Sequence, residues 1–197
     1  MPALRSPYPL LYSSRPGARP VRFRRERVLV VGCGDVGLRV TRVLRGRAKL
    51  FALTSSAARL IELRAAGIVP LLGNLDDRAS IKRLAGLATR VVHLAPPPGS
   101  GQNDQRTLTL VRALRLRSPP RSLVYGSTSG VYGDCQGETA IETRAVNAST
   151  SRAIRRIDAE KQIRRYGEAT SVPSCILRIP SIYAPDRVGG TPRERLL

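Results

Sequence analysis

The sequence predicts an α/β fold built on a doubly wound parallel sheet. Three observations lead there: short apolar runs recur along the chain, helix-period segments separate them, and a glycine-rich turn joins the first run to the first helix. Six runs, Arg27–Val31, Lys49–Leu53, Ile68–Leu72, Arg90–Leu94, Ser122–Tyr125 and Ser174–Ile179, are rich in Val, Ile or Leu, as strands buried on both faces require. Helical patterns fill the gaps at Val36–Arg45, Ala57–Ala66, Arg78–Gly86, Asp104–Arg115 and Ser151–Tyr166. Gly46, Gly67 and Gly86 stand where those helices should stop. Crossover helices between consecutive strands impose parallel pairing, so the expected architecture is Rossmann-like.

The first strand, Val28-Leu29-Val30-Val31, runs into Gly32-Cys33-Gly34-Asp35-Val36-Gly37. In this spacing Gly32 allows a tight turn off the strand, Gly34 lets a pyrophosphate approach the backbone, and Gly37 lets the following helix pack closely. Asp35 and Val36 stand at the start of the expected helix, whose N-terminal amides would meet phosphate charge. A glycine-rich turn with no ligand fits the same letters. The β-branched residues before it, the helical spacing after it and the second strand candidate complete a βαβ unit of about 30 residues, the context a dinucleotide site needs.

Three later segments also follow strands: Gly73-Asn74-Leu75-Asp76-Asp77, Tyr125 to Asp134, and Leu177-Arg178-Ile179-Pro180-Ser181-Ile182-Tyr183-Ala184-Pro185. In an open α/β sheet the carboxyl ends of the strands line one crevice, so all three face the expected pyrophosphate position.

A chain of 197 residues with 42% hydrophobic content suits one domain with a real core. No apolar run approaches a membrane span. Cys33, Cys135 and Cys175 are odd in number and far apart, and no cluster of His, Cys or carboxylates has metal-ligand spacing. A reducing cytoplasm is the simplest reading. The net charge of +20 comes almost wholly from arginine spread along the chain, and aromatics are too few for a base-stacking platform. Solvated helix faces therefore account for the charge better than a specific nucleic-acid site, although salt-sensitive adhesion to polyanions is expected.

Residues 1–26 hold five prolines and no acid before Glu26, and read as a disordered basic arm. An organelle leader shares the arginine and serine content, but its amphipathic helix is opposed by the prolines. A start codon placed upstream of the true domain is the other reading. Residues 27–185 form the expected dinucleotide-binding domain and 186–197 a tail.

Taken together in this order, the glycine turn, the GDLxD-like Gly73 to Asp77, the hydroxyl-rich stretch before Val131-Tyr132-Gly133-Asp134, and Leu177 to Pro185 resemble the extended short-chain dehydrogenase/reductases, the NAD-dependent epimerase/dehydratase family of nucleotide-sugar enzymes. The resemblance runs from about residue 27 to 185. His93 to Pro98, after the fourth strand, is similar to a group of bacterial nucleoside-diphosphate-sugar epimerases within it. The resemblance implies NAD or NADP as cofactor and a nucleotide sugar as substrate. It implies that Asn74 and Leu75 lie by the adenine, that Leu94, Ala95 and Pro96 line the cofactor, and that Pro180 borders it. Thr128 matches the hydroxyl that hydrogen-bonds the substrate's reacting oxygen. Lys161 matches the lysine of Tyr-x-x-x-Lys, which holds the nicotinamide ribose and lowers the tyrosine pKa. A solvated lysine on a helix surface is the other reading of Lys161.

Four residues before Lys161 stands Ile157, which cannot exchange a proton. Family chemistry relies on a tyrosine there as general acid/base. Either another group substitutes or the redox step is lost, which leaves a catalytically silent dinucleotide-binding or sensor module as the alternative function. At the end of the second strand, Thr54, Ser55 and the nearby Arg59 contact the expected ribose. No acid is present, so Arg59 favours NADP unless it is a solvated helix residue. His93 reads as a packed core or rim residue. The sequence ends at Leu197, where family members continue into a small substrate domain. Reduced stability and weak or absent turnover are therefore expected.

Overall fold

The computed structural model describes residues 25–184 and Asp186. Strands β1 (Glu26–Val31), β2 (Ala48–Thr54), β3 (Val69–Leu72), β4 (Arg90–His93), β5 (Ser122–Thr128) and β6 (Ser174–Ile179) form one sheet in the order β3-β2-β1-β4-β5-β6. Every neighbouring pair is parallel. Chain order reverses between β1 and β4, and at such a switch point a crevice opens beyond the strand ends.

Alternation along β1 divides the core. Leu29 and Val31 pack with Phe51, Leu53, Val91, Leu123 and Tyr125 under Leu110 and Leu114 of α3 (Gln105–Leu114) and Ala159 and Ile163 of α4 (Ser151–Thr170). Val28 and Val30 point the other way, with Leu50, Ala52 and Ile68, under Leu38 and Leu44 of α1 (Asp35–Leu44) and Leu63 of α2 (Arg59–Ala65). Burial on both faces is what the continuous apolar runs require.

The helix expected over Arg78–Gly86 does not form. The Asp77 side chain accepts from the Ala79 amide, and the Ser80 hydroxyl engages Asn74 and Asp77. These local bonds compete with a helical ladder. Only a short 3₁₀ turn remains at Lys82–Leu84, from which Ile81 and Leu84 still fill the core. Most other bounds move by a single residue, and three move further: α2 starts at Arg59, β5 continues to Thr128 and α4 continues to Thr170. Glu26 belongs to β1, while residues 1–24 of the expected arm lie outside the described residues. Of the expected tail only Asp186 is described, and it pairs with Arg39 at 2.9 Å.

His93 ends β4 fully buried, with its Nε2 2.9 Å from the Thr107 hydroxyl. That hydroxyl donates to Asp104, so it accepts from His93 Nε2–H. Burial, reinforced by the charge of Arg156, pushes the imidazole pKa down to about 3. The unfolded chain thus binds a proton below about pH 6.5 that the folded chain refuses, and this contribution to stability falls as the pH falls. Between pH 7.5 and 5 it amounts to about 2 kcal/mol. Asp104, whose carboxyl burial pushes up, acts in the opposite sense. Urea unfolding of His93→Gln beside the wild type isolates the histidine: the variant should lose less stability over this interval, and an equal loss would contradict the assignment.

Candidate functional site

The glycine turn builds the centre of the crevice. Gly32 has φ +85°, and a Cβ there would lie within 2.5 Å of Ala95 Cα. The end of β1 thus sits against the chain leaving β4 because Gly32 carries no side chain. Gly32→Ala should destabilise the fold by at least about 1–3 kcal/mol from backbone strain alone. An unchanged urea midpoint would contradict that. A Cβ on Gly37 would come 3.2 Å from both the Gly32 carbonyl and Val30 Cγ1, so α1 packs closely on the turn. Gly34 differs: its Cβ position has no neighbour within 4 Å. It is the N-cap of α1 with no side-chain cap, which leaves first-turn amides for an incoming anion.

Two cavities flank this turn. The first, about 400 Å³, lies beyond β1, β2 and β3 and is bordered by the glycine turn. Of the residues expected to bind cofactor, Gly32, Gly34, Thr54, Ser55, Arg59, Asn74, Leu75, Leu94, Ala95 and Pro96 all line it. The second, about 430 Å³, lies beyond β5 and β6 and takes in Val36, Leu94, Thr128 and Pro180. Asp35 borders neither cavity and pairs with Arg39 at 3.0 Å. Gly37 is buried beneath the turn.

Arg59 braces the first cavity. Its Nη1 donates to the Cys33 carbonyl at 2.6 Å, while Nε and Nη2 meet Glu62 at 3.0 and 3.1 Å. All three nitrogens are engaged, so a 2′-phosphate would have to compete with Glu62. Arg106, which the sequence did not single out, pairs with Asp76 at 2.7 Å and donates to the Pro96 and Pro97 carbonyls. It ties the β3 and β4 loops together above the cavity. Its ion-pair partner Asp76 lies 30 residues away in sequence, so no local pattern reports this role.

In the second cavity Thr128 ends β5, and its hydroxyl accepts from the Gly130 amide at 3.3 Å. Lys161 is not there: it is exposed and lines neither cavity. The inner face of α4 carries Ala153, Arg156, Ala159, Glu160 and Ile163, and Lys161, five residues past Arg156, points about 140° away. Ile157 lines neither cavity either. The crevice-lining residues four apart are Arg152 and Arg156, which sequence reasoning missed.

Arg156 is 7% exposed, and its Nη1 donates to the Gly126 carbonyl at 2.8 Å, the Tyr125 hydroxyl at 2.9 Å and the Ala95 carbonyl at 3.4 Å. Burial pushes the Tyr125 phenol up to about 12, with Arg156 pulling weakly the other way. Arg155 donates to the Gly99 and Gly101 carbonyls, holding the loop that follows the prolines. Glu160, buried behind Thr128, accepts from Ser127 at 2.7 Å and from Arg178 at 2.8 Å. Burial opposes its ionisation, but these bonds outweigh it and hold the carboxyl below its usual value. Among the described residues no group of three or more His, Cys, Asp or Glu could hold a metal ion, and no helix is long and apolar enough to cross a membrane.

Comparison with known proteins gives a family and a fold. The model of the NAD dependent epimerase/dehydratase family matches residues 28–197. No curated protein matches. UDP-glucose 4-epimerase from Thermus thermophilus, solved with NAD, is 24% identical with a TM-score of 0.70, covering 85% of this chain and 59% of its own. UDP-glucuronic acid 4-epimerase from Bacillus cereus, solved with UDP-glucuronic acid and NAD, is 18% identical with a TM-score of 0.71, covering 86% and 61%. UDP-N-acetylglucosamine 4-epimerase from Bacillus cereus is 18% identical with a TM-score of 0.68, covering 82% and 55%. The chain thus spans about three fifths of the length of these solved relatives.

Proposed function

The chain belongs to the NAD-dependent epimerase/dehydratase family, and on that premise we propose that it binds NAD or NADP along the carboxyl edge of its sheet, with a substrate cavity beside the cofactor. The observation that carries this reading is the open space at Gly34 over the uncapped N-terminus of α1, next to a cavity edged by Thr54, Ser55 and Asn74. Backbone amides at the helix start would hold the pyrophosphate, and the polar edge would hold the adenosine half. Cytoplasmic residence belongs to the same proposal, motivated by three cysteines that are free in the structure.

A bound nicotinamide supplies hydride transfer. The chain's own part would be to orient a nucleotide-sugar oxygen through Thr128 and to move a proton at that oxygen. A general base works best with a pKa near the working pH. Tyr125 is buried, bonded to Arg156 and shifted up to about 12, and Tyr132 is stacked under Arg178 at 4.7 Å. Neither phenol lines the second cavity. Lys161, exposed and outside it, has no part in this reading. The crevice therefore favours dinucleotide binding without the phenol-dependent step, the silent or sensor module, over nucleotide-sugar epimerisation. Equilibrium titration with NAD and NADP, followed by incubation with UDP-glucose, tests both parts. Saturable binding with little or no epimer formed is expected, and multiple turnovers by the unmodified chain would overturn the silent reading.

A further inference from the structure

We infer that the second cavity is an anion pocket, in which Arg152 and Arg156 receive a carboxylate or phosphate group of a small ligand beside the dinucleotide. The inference deepens the proposed function, which it assumes only for the identity of the neighbouring group. The two arginines that line the first cavity have acidic partners: Arg59 has Glu62 and Arg106 has Asp76. Arg152 and Arg156 have none. Among the described residues neither forms an ion pair, and no acidic side chain lines their cavity.

Burying a guanidinium without a counter-charge is costly. Arg156 is 7% exposed, and although the buried Asp104 carboxylate acts on it through space, the groups it touches are the face of Tyr125 and neutral oxygens, the latter all reached through Nη1. Among the described residues Nε and Nη2 have no hydrogen-bond partner, although the residue lines the cavity. Two adjacent donors on a planar fork match the two oxygens of a carboxylate or phosphate. Arg152 lies one turn earlier on the same helix, exposed and unpaired among the described residues. Both charges therefore address one space, which the hydroxyls of Thr128 and Thr150 also border. The N-terminal end of the 20-residue α4 adds its dipole in the same sense. A neutral ligand would leave the two charges without an ion-pair partner among the described residues, whereas an anion engages both.

Inorganic phosphate and malonate serve as probes, titrated at constant ionic strength and followed by amide chemical shifts, with NAD titrated into the same samples. The wild type should saturate with at least one of the two, and the one preferred identifies the phosphate or the carboxylate as the natural group. Arg152→Ala should weaken that binding by about tenfold or more while binding NAD as the wild type does. Arg165→Ala, an exposed arginine on α4 outside the cavity, should change neither, which controls for diffuse attraction to a chain of net charge +20. No saturable binding of either anion, or an equal loss in the Arg165 variant, would overturn the inference. Anion failure with NAD binding intact refutes the pocket alone; loss of NAD binding in the wild type refutes the dinucleotide reading.

Discussion

Glu160→Ala is expected to destabilise the fold by about 3–5 kcal/mol, the cost of leaving one partner of a buried ion pair alone. Glu160 is 1% exposed on α4 and receives Arg178 from β6 at 2.8 Å and Ser127 from β5 at 2.7 Å. A helix and two strands thus meet on one carboxylate. Without it Arg178 would keep only the Glu142 carbonyl and the face of Tyr132 among the described residues, and a guanidinium whose side chain is 13% exposed would lose its counter-charge. Arg164, 49% exposed, adds little to the pair. Glu160→Gln keeps the shape and an acceptor and should cost less. The sign with pH follows from the lowered carboxyl pKa: the stabilisation is complete above the unfolded value near pH 4.5 and is lost as the pH falls from there through the folded value. Urea unfolding at pH 7 reads the effect directly. An alanine variant with an unshifted midpoint would show that the pair does not hold β5 and β6 to α4.

The same helix shows where the sequence was legible and where it was not. The strands and the glycine turn depend on local rules, alternation of apolar side chains and the space a missing Cβ leaves, so Gly32, Gly34 and Gly37 could be given their roles from spacing alone. The close approaches of Gly32 to Ala95 and of Gly37 to Val30 match the turn and packing roles, and the space at Gly34 is empty. In α4 the buried face holds Arg155, Arg156 and Glu160 among its apolar residues. Hydrophobic periodicity is therefore a poor guide to its orientation. Counting from Lys161, the one lysine in the helix, leads to Ile157, and neither residue lines a cavity. The carbonyls and the hydroxyl that hold Arg156 come from Ala95, Gly126 and Tyr125, about 30 to 60 positions away, and no spacing rule reports them. The expected helix over 78–86 failed for a different reason. Asp77 and Ser80 offered the backbone nearer partners than the next helical turn would have done.

Gly34→Asp is expected to abolish dinucleotide binding while leaving the fold intact. The new Cβ would meet nothing within 4 Å, and the residue is the N-cap of α1 with φ −80°. Aspartate is among the preferred residues at such a position, because its carboxylate accepts from first-turn amides. Those are the amides assigned here to the pyrophosphate. The carboxylate would satisfy them and set a negative charge where another must come, a repulsion of several kcal/mol at about 4 Å in partly buried surroundings. An affinity loss of about a hundredfold or more, ~2.7 kcal/mol, is the expected result. Stability should hold or rise slightly, which separates loss of the site from loss of the protein.

Calorimetric titration of the wild type and Gly34→Asp with NAD and NADP, each protein first shown to unfold at a similar urea midpoint, bears most directly on the claim that this crevice is a dinucleotide cradle. One-to-one binding by the wild type and no detectable heat of binding by the folded variant is the predicted outcome. Equal binding by the two proteins, or none by the wild type, would contradict it.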